Sequence, residues 1–451
     1  MKMEKDAMNG PASPRPQPRS RQSQWSRRPI RRNLLLAAAA LAMLAGCQKE
    51  ESKGTAGSEN RLEIMSWWTS GSESAALKVF QDAFLQKHPG VSLVDGAVVG
   101  GGGSNEQVVL AQRLAANRPP DVWQTFLGAS LAAWVASGRI ANVDTVYQDT
   151  GLAKALPKAV LDAVTIGGHQ YGVPTGAHRG NVLFFNKDVL SKAGIAAPGA
   201  DYADAAFKAD LDKLSAAHVT PLCLGGRDAI TRVELFENVL LGVIGADGWE
   251  RIARDRFDWD GPELHKAAQR FGELLDRADP DADSQSWDEA AKRLADGRCA
   301  FLVFNDSALG EWIRSNATDI GHTTYPGTRS LFTAVIDTFV VARKAKSPAL
   351  ADDLLRTMAD PETDLAFNKI KGSIPLRTDI PLDSLTPYQQ EAARDLRGDK
   401  LLMSLTHGEL LGPDLQAGLF DAVRNFAKSR DPAVFGRDLR RAVASGTAIA
   451  P

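Results

Sequence analysis

The chain runs to 451 residues, 44% of them hydrophobic and 24% charged, with 53 Lys/Arg against 55 Asp/Glu and a formal net charge of −2. Nine of the basic and two of the acidic groups fall in residues 1–46, so the remainder holds 44 basic and 53 acidic side chains, a net −9, which excludes nucleic acid as a natural partner. Its three cysteines have neither zinc nor c-type haem spacing, and no metal or cofactor is expected.

Residues 1–33 are polar and basic and end in Arg27-Arg28-Pro29-Ile30-Arg31-Arg32, ahead of an apolar block from Leu34 to Leu44. The block is too short for a membrane span and closes in Leu44-Ala45-Gly46-Cys47, so residues 1–47 read as a secretory signal. The small residues before the cysteine resemble a bacterial lipobox, which implies that Cys47 is lipidated and becomes the mature N-terminus. The paired arginines admit twin-arginine export as well as the general route. Residues 48–60 hold no large apolar side chain and read as a flexible tether. The roughly 390 residues that follow exceed what one core organises, so two lobes are expected.

The most informative stretch is Leu62-Glu63-Ile64-Met65-Ser66-Trp67-Trp68-Thr69-Ser70-Gly71-Ser72-Glu73. Leu62 and Ile64 suit a buried strand, Ser70-Gly71 a turn, and Ser72 an N-cap for a helix whose apolar stripe is Leu77, Phe80 and Phe84. Trp67 and Trp68 thus stand at a strand's carboxyl end, the edge of an open α/β sheet where ligands bind. Tryptophan offers a flat apolar face to a sugar ring, and Glu73 accepts from hydroxyls. The competing reading is core packing, but adjacent strand residues point to opposite sides, so at most one of the two faces the core.

After His88-Pro89-Gly90, Val91–Val94 reads as a second strand and Gly100–Gly103 as a loop, with Ser104 and Gln107 forming a capping box for the next helix. The loop lacks the Gly-Lys-Ser/Thr and Gly-x-Gly-x-x-Gly contexts of nucleotide sites. Pro119-Pro120-Asp121-Val122-Trp123-Gln124-Thr125-Phe126 follows as turn, then strand.

Ser66-Trp67-Trp68, the glycine loop, Pro119 to Gln124, Tyr171-Gly172-Val173-Pro174 and Phe184-Phe185-Asn186-Lys187-Asp188-Val189-Leu190 together resemble an extracellular solute-binding protein of family 1, the sugar receptors of ATP-driven importers. Within that family the chain is most similar to the glucose/mannose-binding branch, from about residue 61 to 445. The resemblance implies an α/β, type II periplasmic-binding fold: two lobes with the ligand cleft between them and a hinge crossed several times. Lobe 1 is expected over 61–181 and 326–372, and lobe 2 over 182–325 and 373–451, with crossings near Asn181, Pro326 and Gly372. It also implies that Gln124 and Phe126 lie at the ligand, and that His178 and Arg179 stand at the cleft's back. By itself His178 reads as readily as a structural histidine. The branch carries a histidine where Phe126 stands here, so specificity is expected to differ.

Residues 208–300 alternate helical patterns with short strands, as crossover units of an open sheet do. Cys223 and Cys299 each precede an apolar run and read as a disulfide or as two inert buried thiols. Ser286-Trp287 starts a helix, and Trp287 matches the family position of a ligand-stacking tryptophan; its alternative is a core anchor between helix and sheet. Segment 226–231 lacks an aromatic that the resembling proteins carry there. Asp337 interrupts the buried-type strand Val335–Val341, where an unpaired charge is costly and needs partners. In the resembling family this acid bonds sugar hydroxyls, and Lys371 and His407 supply further polar groups. Alone, these three read as a salt bridge, a solvated loop charge and a turn residue. Toward the C-terminus Leu415, Leu419, Val423 and Phe426 share one helical face, and Asp431-Pro432 caps a last helix.

The expected protein is therefore a receptor, not an enzyme: a monomeric, periplasmic, lipid-anchored component that captures a mono- or small oligosaccharide and delivers it to ABC permease subunits. The alternatives are a surface glycoside hydrolase using Glu73 and Asp337 as its carboxylate pair, and a binder of a non-sugar, polyol-like solute.

Overall fold

The computed structural model describes residues 60–100 and 103–445. The expected export signal, Cys47 and all of the tether except Asn60 lie outside the described residues. Among the described residues, no helix is long and apolar enough to cross a membrane.

In chain order the strands are β1 (Arg61–Met65), β2 (Ser92–Asp95), β3 (Val122–Phe126), β4 (Thr165–Ile166), β5 (His169–Gln170), β6 (Val173–Arg179), β7 (Val182–Asn186), β8 (Leu222–Cys223), β9 (Phe301–Val303), β10 (Ile320–Thr324), β11 (Leu331–Val341) and β12 (Lys400–Met403). One sheet has the order β12-β11-β3-β1-β2, with β6 also on β11, and a second has the order β10-β7-β9-β8. Strands β1, β2 and β3 are parallel, with the helices Gly71–Lys87 and Ser104–Ala115 as their crossovers. The long β11 pairs antiparallel with β3 and β6, and parallel with β12. β3 and β7 are buried at every residue; β7 accordingly reads as an apolar run, while in β3 the buried Gln124 and Thr125 are polar side chains that find hydrogen-bond partners.

The chain passes between the two sheets at Gly180-Asn181 (β6 to β7), at Tyr325–Ser330 (β10 to β11) and, after β12, through 404–412 into the helix Pro413–Ser429, which packs on the second core. The third passage differs from the sequence reading, which has it at Gly372. Gly372, at φ 80°, ends the helix Pro361–Lys371, and Ile374 then bridges Ala177 of β6, so this segment stays with the first sheet. β12 belongs to the first sheet as well, although residues 373–451 are expected in lobe 2. Four residues of parallel pairing with β11 decide its place, and local sequence does not encode that choice.

Two core clusters form, one around Trp68, Phe80, Phe84, Phe339 and Phe367 that continues onto one face of the second sheet through Phe184, Leu302 and Phe304, the other around Phe207, Phe236, Phe271, Phe301 and Phe426. Each such ring stabilises by roughly 1.5–3 kcal/mol relative to exposure. Cys223 and Cys299 form a disulfide that ties β8 to the start of β9, which settles the two alternatives in favour of the bridge.

Two helix starts also differ from the sequence reading. Ser70, not Ser72, caps Gly71–Lys87, its side chain accepting from the Glu73 amide, because Ser72 is engaged elsewhere: its amide and hydroxyl both donate to Glu311 Oε1 at 2.8 and 2.6 Å. Ser104–Ala115 begins after Gly103 at φ 98° with no side-chain cap, so Ser104 and Gln107 form no capping box. Ser286 and Glu289 do form one at the start of Trp287–Ala295, and Asp431 Oδ1 accepts the amides of Ala433 and Val434 at the last helix.

Candidate functional site

Between the two sheets, at the carboxyl ends of β1 and β3, lies a cavity of about 240 Å³. Its floor is β11, where Asp337 lies directly opposite Phe126 of β3 and next to a register shift against β6. Such irregularities re-aim side chains. Asp337 is 4% exposed and faces the cavity. Its Oδ1 accepts from Gln124 Nε2 at 2.8 Å, and Gln124 Oε1 accepts in turn from Ser66 Oγ at 2.7 Å. Gln124 therefore does not line the cavity. Its amide is committed to holding the carboxylate through Oδ1, and Oδ2 stands 3.9 Å from His178 Nε2.

Behind Asp337 a polar chain crosses the floor. Lys371 is 1% exposed and stands at the C-terminal end of its helix. Its Nζ lies 3.4 Å from Glu73 Oε1, 3.1 Å from His178 Nε2 and 5.4 Å from the centroid of the Trp68 ring. An ammonium only donates, so His178 Nε2 accepts, and its Nδ1–H donates to Asp306 Oδ1 at 2.6 Å. The other oxygen of Asp306 accepts from the Tyr388 hydroxyl at 2.8 Å. Burial, aided by the Asp306 charge, pushes the Tyr388 phenol far above its ordinary range. Burial also raises the Glu73 carboxyl, against the opposing pull of Lys371. A buried carboxylate, ammonium and imidazole here satisfy one another, which is the condition for keeping such groups out of water.

Aromatic side chains form the walls. Trp67 packs between the backbone of Gly103, where a Cβ would come within 3.2 Å of the indole, and Phe126, whose ring centroid lies 4.7 Å away. Glycine at this point of the loop therefore makes room for an indole, not for a phosphate. Phe126 meets His407 edge-on at 4.9 Å. Trp68, 1% exposed, sits mainly in the core against Phe339 and Phe367, and Trp67 at 7% is buried in the same cluster, so both neighbours belong to the core, contrary to the expectation of one. From the other lobe comes Trp287, half-buried, with one face stacked on Phe304 at 5.6 Å and the other left for the cavity. Beside it, at the rim, Arg227 pairs with Glu289 at 3.3 Å.

Trp67, Trp68, Glu73, Phe126, His178, Trp287, Asp337, Lys371 and His407 are thus brought together around one space. Arg179 is not among them: its guanidinium turns to Asp395 and Asp399, behind the first passage. Residues that sequence reasoning missed include Asp306, Asn305, Glu234 and Ser66. For Asp306 a signal was present, since Phe304-Asn305-Asp306 places an acid at the end of an apolar strand, the same pattern that singled out Asp337.

Two α/β lobes, each on its own sheet, joined by three passages around an aromatic-walled polar cavity define a two-lobe solute receptor. Residues 81–394 match the family described as bacterial extracellular solute-binding protein, and the chain belongs to that family, which is one of solute binders, not enzymes. It is 31% identical over 402 residues to an uncharacterised ABC transporter extracellular-binding protein of Pyrococcus horikoshii, covering 88% of this chain and 91% of that one. With a probable sugar-binding periplasmic protein of Brucella suis it shares 28% over 398 residues, 85% of this chain and 91% of that one. Among solved structures, it is similar to the bacterial solute receptor AcbH, described as having an exclusive preference for β-D-galactopyranose. The TM-score is 0.75 at 18% identity, covering 85% of this chain and 97% of that one, a likeness of fold.

Proposed function

We propose that the protein is the sugar-capturing component of an ABC-type importer. It is anchored outside the cytoplasmic membrane through a lipid on Cys47, acts as a monomer and passes its ligand to permease subunits. The observation that carries this reading is the arrangement at Asp337: a buried carboxylate lining the cavity, with aromatic walls from both lobes, Trp67 and Phe126 on one side and Trp287 on the other. An apolar ring face and an acceptor for paired hydroxyls are what a pyranose presents surfaces to. Gln124, placed behind Asp337, supports the site without touching ligand. Relatives named for sugar binding support the same ligand class.

The hydrolase alternative is disfavoured by where its two carboxylates stand. Glu73 and Asp337 both rise from the first lobe and share the Lys371–His178 cluster, whereas glycosidase acids flank a bond from opposite sides. A thermal-shift screen against mono- and disaccharides tests the sugar reading. A sugar at a hundred times its Kd stabilises by about 2.7 kcal/mol; no shift with any sugar would overturn it, and new reducing ends released from an oligosaccharide would revive the hydrolase. Capture closes the lobes about the three passages, so the radius of gyration falls at saturating ligand.

A further inference from the structure

The helix Ile230–Ala253, kinked at Gly245, is built into the second core through Phe236, Val239 and Leu240, yet it also buries Glu234, Glu237 and Asn238. With Gly242 these fall at spacings of three, four and eight residues, one face of the helix. Buried carboxylates are costly unless bonded, so the question is where their bonds go.

They go to the passages. Glu237 accepts the amides of Leu405 at 2.9 Å and Thr406 at 3.2 Å, and the hydroxyls of Ser404 and Thr406, all in the passage after β12. Asn238 Nδ2 donates to Gly180 O at 3.1 Å, in the passage from β6 to β7. Gly242 lies against the passage from β10 to β11 so closely that a Cβ would come within 2.7 Å of Pro326 O. Glu234 accepts the amide and side chain of Asn305 at 2.9 and 2.5 Å and lies 3.3 Å from His407 Nε2, and both Asn305 and His407 line the cavity. One stripe on one helix therefore meets all three passages and two cavity residues.

We propose that this stripe is the pivot of lobe movement, with Glu234 and Glu237 as positioning residues that fix where the passages bend and hold His407 and Asn305 at the ligand. The proposal rests on the reading of the protein as a receptor that closes on its ligand. Eight residues of helix span about 12 Å and do not flex, whereas the passages are irregular backbone. A carboxylate that collects several donors of one passage at a point on that rod leaves the first lobe rotation about the point as its easiest motion.

The test uses the ligand-free exported chain, spin-labelled at Ala75→Cys and Ala205→Cys, exposed helix positions on the first and second lobes. Glu237→Gln replaces an acceptor oxygen with a donor facing the Thr406 amide. The expected result is a broadened interlobe distance distribution and a more than tenfold faster amide exchange at Leu405 and Thr406, with β1 and β7 unchanged. Val239→Ala, on the same helix but in the second core, is expected to lower stability without either effect. Gly242→Ala leaves both carboxylates intact and is expected to shift the mean distance, which keeps the test decisive if Glu237→Gln does not fold. A wild-type distribution in both Glu237→Gln and Gly242→Ala, or equal broadening in Val239→Ala, would overturn the proposal. Neither readout uses a ligand, so a negative result leaves the sugar reading standing, and a failed sugar screen leaves this test valid.

Discussion

Replacing Asp337 with Asn removes sugar binding while leaving the ligand-free fold nearly untouched. The amide keeps the shape and, with its oxygen turned to Gln124, keeps the 2.8 Å bond from Nε2. What changes is Oδ2, the oxygen that Gln124 does not hold, which becomes an NH₂ that donates where sugar hydroxyls must donate. A hydrogen bond to a charged acceptor contributes about 1.5–3 kcal/mol, so affinity falls roughly ten- to a hundredfold or more. The cost to the apo protein depends on whether any cation relies on Asp337. Lys371 does not: its Nζ bonds Glu73 and His178, and the nearest approach of Asp337 to the cluster is 3.9 Å, to His178 Nε2. Neutralising Asp337 therefore strands no lysine, and the apo Tm stays within about 1 °C of wild type, corresponding to under about 1 kcal/mol for a chain of this length. Scanning calorimetry without sugar and titration calorimetry with the sugar found in the thermal screen measure the two quantities. A drop of many degrees in the apo Tm, with affinity retained in the folded fraction, would assign Asp337 to architecture and refute the argument.

Three further outcomes are expected. Phe126→His places a polar ring between Trp67 and His407 and alters sugar preference, since one mismatched polar contact is worth about 1–3 kcal/mol; if wild type prefers glucose and the variant binds it equally well, the inference from this position fails. Glu409, fully buried, has its carboxyl held well above the ordinary carboxylate range by burial, so its contribution is present below that range and is lost as pH rises toward the folded-state value; denaturant unfolding at pH 5 and pH 8 should show a smaller loss in Glu409→Gln than in wild type. Replacing both Cys223 and Cys299 with Ser opens a loop of sequence separation 76 and lowers stability by about 2–5 kcal/mol, measured by urea unfolding against the oxidised parent.

Periodicity and residue chemistry singled out Trp67, Trp68, Glu73 and Asp337, while the other candidates came from the family resemblance. Two tryptophans at a strand end and a single acid inside an apolar strand are local anomalies whose cost must be met by a core, a polar partner or a ligand, and local sequence does not say which. Trp287 was reached differently: its helix start was legible in Ser286-Trp287, but its place at the cavity came from the resemblance to the receptor family. Neither route reached the caps at Ser70 and Gly103, which depend on where Ser72 and Trp67 find partners: Glu311, 239 residues away in the chain, and the glycine loop pressed against the indole.

The sequence by itself determined alternating strands and helices in a chain too long for one core, and the motif order that resembles the solute-receptor family pointed to a two-lobe α/β receptor with a candidate aromatic and acidic face. Only the tertiary structure decided which groups share which bonds: that Gln124 supports Asp337 from behind, that Lys371 joins Glu73 and His178 instead of Asp337, that β12 completes the first sheet, and that Cys223 bonds Cys299. Each of these is a contact across tens to hundreds of residues, chosen by pairing geometry and by the need of every buried polar group for a partner. Local patterns state that need, and the fold alone brings the partner to it.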